Sequence, residues 1–370
     1  MIWTIAAICS IAALYQLFSL VASLAHLRKR PAKACASIGV SILKPVYGAD
    51  PGFYEAIRSH AVQQFPTFEV LFGIRDEGDS ARPEIERLIR EYPDVTIRLV
   101  ICKTQAPNGK VGVLMDLAHQ AQYPILIVND SDISVPAGYI ARVTAPLADR
   151  RVGLVTCLYR AEAHDWPSRF EALAIATEFA PSTLVAPFVG VSEFGLGSTL
   201  AFRKEDLDRI GGFAAIGDYI ADDYQLGCKL HSLGLRNMIS EVVVSTRLSA
   251  GSWNAAWKHQ LRWARTIRLS RGGGYAGLPV TFATLWAFLA ALCGLLPLAG
   301  VVLAIRLAAA IACGWFVLRS PDVWKYICAI PLRDLWGVAV WAAGLVGNTA
   351  EWRGRRLRLD AEGKIVNLQK

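Results

Sequence analysis

Several absences narrow this chain before any motif does. Its eight cysteines show no CxxC spacing and lie scattered among apolar neighbours. That pattern excludes a zinc framework or disulfide scaffold and leaves small buried hydrophobes. There is no internal repeat and no low-complexity linker. No basic residue precedes the first apolar run, as one would before the core of a cleaved signal peptide. The net charge of +8 comes without a constellation of interleaved basic and aromatic residues, so nothing argues for nucleic acid. Basic residues beside apolar segments suit anionic lipid headgroups instead. Acids are concentrated in the middle of the chain, away from the apolar ends, unlike the paired mid-membrane polar residues of a transporter.

What is present in excess is apolar surface. Hydrophobic residues make up 54% of the chain, and the mean hydropathy is +0.34. Residues 1–26 are long enough to cross about 30 Å of hydrocarbon. Arg28, Lys29, Arg30 and Lys33 follow them, which by the positive-inside tendency places the next domain in the cytoplasm. Residues 278–318 suit two helices with a turn near 297–300, and Arg306 within them needs a partner or a snorkelling route. Residues 335–350 have Arg333 on one flank and Arg353, Arg355, Arg356 and Arg358 on the other. Those flanks argue against a full crossing, and Trp336, Trp341 and Trp352 suit an interfacial or re-entrant segment. The expected organisation is an anchor at 1–27, a cytoplasmic domain at 36–275, a membrane region at 278–350 and a basic cytoplasmic tail at 351–370.

Between the apolar ends, strand-like runs at 37–43, 68–74, 95–102 and 124–130 alternate with helical stretches at 51–64, 80–91 and 110–121. This alternation predicts an α/β domain with a mostly parallel sheet covered on both faces. Ligand crevices of such sheets lie at the carboxyl ends of the strands, and charged or glycine residues collect there. Lys44, Pro45 and Gly48 end the first strand, Arg75 and Asp76 the second, and Asn108, Gly109 and Lys110 follow the third. The fourth ends in Asp130 and Asp132, one residue apart. Carboxylate oxygens in a phosphate-handling crevice suit a hard divalent ion. Further on, Asp222 and Asp223 open an amphipathic run, read either as a helix start or as a general base. His259, Arg262 and Trp263 precede the second membrane block, where an Arg-Trp pair serves as an interfacial anchor or a ligand contact.

Together these stretches resemble the inverting nucleotide-sugar glycosyltransferases, and more narrowly the ceramide glucosyltransferase family. The resemblance rests on Ser41–Pro45 (SILKP), Asp76, Asp130-Ser131-Asp132, Ala221–Tyr224 (ADDY) and His259–Trp263 (HQLRW), in that order. It covers about residues 36–275 and extends to the flanking apolar segments. Residues 152–160 (VGLVTCLYR) and 263–268 (WARTIR) resemble a bacterial branch associated with hopanoid biosynthesis. One departure is His259, which stands where the family's terminal motif carries Gln or Arg.

The resemblance implies a GT-A (Rossmann-like) domain, a UDP-sugar donor, a membrane lipid acceptor and a divalent cation, Mg²⁺ or Mn²⁺. It implies a multi-pass protein of the bacterial inner membrane, catalytic on the cytoplasmic side, moving glucose or N-acetylglucosamine onto a ceramide or a hopanoid polyol. Asp132 would hold the metal with Asp130 beside it. Lys44, Asp76, Lys110, Asp130, Arg262 and Trp263 would bind the donor. Asp223 would take the acceptor proton, with Asp222 as competitor. Residues 166–191 read as an acceptor wall or as core. A processive polysaccharide synthase, a polyprenyl-phosphate sugar transferase and an inactive membrane scaffold are the rival readings.

Overall fold

A computed structural model describes residues 2–30, 38–352 and 355–369. Lys33 and Arg353, named above, lie outside them, as does Cys35, one of the eight cysteines. The central feature is a seven-stranded sheet of order β3-β2-β1-β4-β6-β5-β7. Its strands are Val40–Pro45 (β1), Phe68–Ile74 (β2), Thr96–Ile101 (β3), Ile125–Val128 (β4), Val152–Ala163 (β5), Leu200–Arg203 (β6) and Arg236–Leu248 (β7). The first four run parallel, as expected. β6 then enters antiparallel between β4 and β5, and β7 runs parallel to β5. Because β1 to β4 point the same way, all four deliver their terminal residues to one edge.

The sheet is buried on both sides, so β1 reads as an unbroken buried run rather than an alternating one. Period two still sorts the side chains. Ile42, Val70 and Phe72 meet the helices at Phe53–Ala61 and Arg82–Glu91. Leu43, Leu71 and Leu126 face the helices at Gly109–Gln120 and Asp222–Ser232. β2 has the expected bounds; β1 is shifted to start three residues later and run on to Pro45, the helix at Gly109–Gln120 starts one residue early, and the other elements start or stop one to three residues inside the expected ones.

The apolar segments form a helical layer. Helices at Ile2–Leu27, Trp166–Val189, Leu296–Val317 and Ile327–Gly344 are long and apolar enough to cross a membrane; Gly272–Thr281 and Ala283–Leu292 together form a bent fifth candidate. The N-terminal helix spans about 39 Å at 1.5 Å per residue. It buries small residues, Cys9, Ala12, Ala13 and Ser19, while Trp3, Leu14 and Val21 stay outside. Small residues at the contact let helix backbones approach closely in an apolar solvent.

Three expectations change here. Of residues 166–191, Trp166–Val189 are one membrane-length helix of this layer, held to the N-terminal helix by Tyr15 and Ser182 at 3.0 Å and by Phe18 against Phe188. The break within 278–318 comes at Gly294, whose φ of 80° suits only glycine, and not at 297–300. Residues expected as a basic tail instead fold. Thr349–Trp352 (β8), Arg355–Leu359 (β9) and Ile365–Gln369 (β10) make an antiparallel sheet. Arg306 does have its partner: it donates from two guanidinium nitrogens to Asp334, at 3.0 and 2.6 Å. Lys29, just past the first helix, donates to the Ile239 carbonyl on β7 at 3.2 Å, so the sheet domain docks directly on the helix end.

Candidate active site

The parallel edge brings Asp130, Lys110, Asp222 and Asp223 together. Asp130 follows β4, and its Oδ1 lies 2.8 Å from Lys110 Nζ, which also reaches Asp222 Oδ2 at 3.0 Å. Lys110 stands in the first turn of a helix capped by Asn108. The Asn108 side chain accepts from the Lys110 and Val111 amides and donates to the Tyr219 carbonyl at 2.8 Å. Burial alone would favour the neutral amine, but Asp130, Asp222 and Asp223 outweigh it and hold Lys110 charged well above its ordinary range.

Asp223 heads the helix Asp222–Ser232. Its Oδ2 accepts from the Gly197 amide at 2.9 Å and its Oδ1 from the Tyr224 amide at 2.8 Å. Burial, then the charge of Asp222, push its carboxyl up to about 6, against the opposing pull of Lys110. Gly197 is where the two acidic motifs meet. A Cβ there would stand 2.7 Å from Asp130 Oδ2 and 3.4 Å from Asp223 Oδ2, so a larger residue would force the carboxylates apart. Sequence reasoning missed Gly197, which sits in an irregular stretch with no motif around it.

Asp132 lies on the other side of the same loop. Its Oδ2 accepts from the Thr246 hydroxyl on β7, a partner that no motif points to. Burial raises its carboxyl above the usual range and the neighbouring Asp130 charge raises it further. It faces a cleft lined also by Asp50, Phe53, Ser131 and Arg247. Among the described residues, no three His, Cys, Asp or Glu side chains gather into a ready-made metal site. Two aspartates still fit a hard divalent ion, because such ions in phosphate sites take one or two carboxylates and complete their shell with phosphate and water.

The other candidates occupy different positions. Lys44 lies fully buried beneath the acidic loop. Its Nζ is 3.1 Å from the Asp130 carbonyl, 3.4 Å from that of Ile133 and 3.5 Å from His60 Nε2. Burial pulls its amine down to about 7, although Asp132 and Asp130 oppose the shift. It therefore supports the loop from within the core, away from the open crevice. Asp76 stays on an exposed bend, where it accepts from the Gly78 amide at 2.9 Å. Its neighbour Asp79, absent from the sequence reading, ties that bend to the Gly48 amide at 3.0 Å.

Arg262 and Trp263 stand half-buried on the helix Trp253–Ser270. Trp263 packs on His259 (5.0 Å between centroids) and on Phe179 (6.1 Å), and Phe179 packs on Tyr159 (5.5 Å). Burial raises the Tyr159 hydroxyl, and so do the charges of Glu171, Asp132, Asp223 and Asp130, so this aromatic line runs from the Arg-Trp helix toward the aspartates. His259, the departure from the motif, holds the buried Glu171 at 2.6 Å.

Known proteins are similar to this chain to different degrees. Ceramide glucosyltransferase 1 of Caenorhabditis elegans is 30% identical over 206 residues, 55% of this chain and 44% of that protein. Ceramide glucosyltransferase 3 of the same animal is 29% identical over 231 residues, 61% and 50% of the two chains. The matched stretches thus span about half the length of these relatives. Among solved structures, the mannosyltransferase PcManGT of Pyrobaculum calidifontis, in complex with GDP-Man and Mn²⁺, covers 93% of this chain and 98% of its own. At a TM-score of 0.57 and 21% identity it speaks for the GT-A fold alone. The family model for glycosyl transferase family 21 matches residues 1–365, and the chain belongs to that family.

Proposed function

We propose that this protein is a membrane-bound inverting glycosyltransferase that moves a hexose, glucose or N-acetylglucosamine, from a UDP-sugar to a hydroxyl of a membrane lipid. The acceptor is a ceramide or a hopanoid polyol, and catalysis takes place on the cytoplasmic side of a bacterial inner membrane. The observation that carries this reading is the convergence of Asp130 and Asp223 on Gly197, with Lys110 beside both acidic motifs. One carboxylate serves the nucleotide and the other the acceptor, within a single crevice.

Asp132 and Asp130 would hold the divalent cation, which would offset the charge of the departing diphosphate. Lys110 adds a fixed positive charge beside Asp130, and Arg262 supplies another from the Arg-Trp helix. Asp76 stands at the end of β2, where a base or ribose would lie. Asp223 accepts the proton of the acceptor hydroxyl as its oxygen attacks the anomeric carbon opposite the leaving diphosphate, which inverts that centre. The two amide donors to Asp223 fix the direction in which the carboxylate points. Trp263, Phe179 and Tyr159 line an aromatic approach from the helical layer, by which a lipid hydroxyl can reach the acids without leaving its bilayer.

Mass spectrometry of lipids from cells expressing the chain tests this directly. A new glycolipid whose mass gain equals one hexose or one N-acetylhexosamine is expected, and it identifies sugar and acceptor together. A soluble or extruded polymer, or unchanged lipids alongside folded protein, would overturn the reading.

A further inference from the structure

The C-terminal strands are joined to two parts of the sheet domain at once, and both parts carry proposed reacting groups. The first is the loop leading to Asp223. The Ile365 amide donates to the Asp218 carbonyl at 2.7 Å, and the Ile220 amide donates to the Gly363 carbonyl at 3.2 Å. Between them Tyr219 and Lys364 form an antiparallel bridge, with Lys364 Nζ 5.4 Å from the Tyr219 ring centre. The second part is the helix Trp253–Ser270. Arg265 donates to the Val346 carbonyl at 3.1 Å and to that of Thr349 at 2.8 Å. Arg268 donates to the Gly347 carbonyl at 2.5 Å and to the Asn348 side chain at 2.7 Å. Ile220 of the loop and Leu269 of the helix even share one apolar patch on the sheet, against Ala350, Leu357, Leu359 and Ile365.

We propose that the β8–β10 sheet is a clasp that positions the Asp223 loop against the Arg262–Trp263 helix. This rests on the reading of Asp223 as the base. The helix is the fixed frame, since Trp257 packs on Trp336 (5.2 Å) and Gln260 accepts from the Trp336 indole (3.0 Å) and from Arg333 (3.2 Å). The loop is the part that needs holding. It reaches the Asp222–Ser232 helix through a single 3-10 turn that follows Gly211 and Gly212, both at positive φ. On its other side Asn108 takes the Gly217 carbonyl at 2.9 Å and the Tyr219 carbonyl at 2.8 Å. The loop is thus held between the Lys110 helix and the C-terminal sheet, and Asp223 follows Ile220 by three residues. The turn at 360–364 that meets the loop is itself fixed by Asp360, which accepts from the Glu362 and Lys364 amides at 2.9 and 2.8 Å. Gly363 there adopts a φ of 77°.

The test uses the full-length protein in detergent or nanodiscs, with Ile365→Pro cutting the loop end of the clasp, Arg268→Ala cutting the helix end, and the double variant. Each single change should lower kcat on the order of 10- to 100-fold, as small misplacements of a reacting group do. UDP affinity and the thermal transition should stay near wild type, and amide exchange at residues 217–224 should rise. Because both cuts free the same loop, the double variant should be no worse than the worse single one. Multiplying losses, or a joint fall of kcat, UDP affinity and thermal stability, would mean a mere structural cover and overturn the clasp. So would unchanged kcat and exchange. Should Ile365→Pro not fold, Lys364→Ala keeps the backbone and removes the cation from Tyr219; undisturbed exchange at 217–224 in that variant overturns the proposal. If the variants loosen the loop while the wild-type chain transfers no sugar, the clasp stands and the proposed function falls.

Discussion

Two regions of this molecule bury charge, and they treat it in opposite ways. In the helical layer Arg306 meets Asp334 through two guanidinium nitrogens, and Thr284 donates to the same carboxylate, so the ions are paired inside the bundle. In the crevice Asp130, Asp222 and Asp223 crowd around one cation, Lys110, and Asp132 is a fourth acid close by. Pairing lowers the cost of burying ions between helices. Crowding like charges does the reverse and leaves carboxylates with capacity for a metal or a proton. Changes in the crevice should therefore alter chemistry more than stability, and changes in the bundle the opposite.

The largest expected effect lies in the crevice. Asp132→Ala should bring transfer below detection and abolish the Mg²⁺- or Mn²⁺-dependent part of UDP binding, followed by titration calorimetry with and without metal. Unchanged, metal-independent UDP binding in the variant would remove Asp132 from the metal. Next comes Asp223→Asn, nearly isosteric, which should lower kcat about 10²- to 10⁴-fold as loss of a positioned base does. UDP affinity should stay close to wild type. Asp222→Asn should cost less; if it loses activity while Asp223→Asn keeps it, the base is one residue off.

The opposite arm of the comparison is Asp334→Ala, which leaves Arg306 buried without its carboxylate. Breaking a buried pair costs about 3–5 kcal/mol, so thermal melting should drop clearly while the surviving folded protein still binds UDP. Retained stability would show that the pair is not what holds the bundle, and the contrast between the two regions would collapse.

How much of this was legible beforehand follows from the range of each interaction. β2 was readable to the residue, and β4 to within two residues, because buried parallel strands are continuous apolar runs ended by turn formers; β3, half-buried at the sheet edge, was read one residue too long at each end, and β1 was placed two to three residues early. The antiparallel insertion of β6 was not readable, since Leu200–Arg203 is four residues long and its partners are distant in sequence. In the crevice, Asp130, Lys110 and Asp223 stood out because their motifs are local. Gly197 and Thr246 did not, since each acts on a carboxylate far along the chain through one hydrogen bond. Lys44 shows the limit in the other direction. Its motif was visible, but only the structure reveals that strand alternation turns it under the loop. The C-terminal sheet escaped notice because an arginine-rich stretch reads as solvated tail unless the partners of its segment, here Arg265 on the helix and the loop at 218–220, are known.

The smallest expected effect concerns acidity, and it probes the crowding itself. The proposed base works only when ionised, and burial together with Asp222 holds the Asp223 carboxyl at about 6 in the folded protein. As pH falls through that value Asp223 takes up its proton, and kcat should fall roughly tenfold per pH unit below it. At neutral pH most of the carboxylate is ionised, so the rate should level off there. Asp222→Asn removes one negative neighbour, which makes ionisation of Asp223 easier and should move the acid limb to lower pH. Lys110 stays beside Asp130 in that variant, so its pull on Asp223 persists and favours the same direction. The measurement is kcat against pH at saturating donor, wild type beside Asp222→Asn. A limb that stays in place would mean Asp222 is only a helix start and that burial alone sets the acidity of Asp223. A limb that moves to higher pH would contradict the crowding of charge on which the comparison rests.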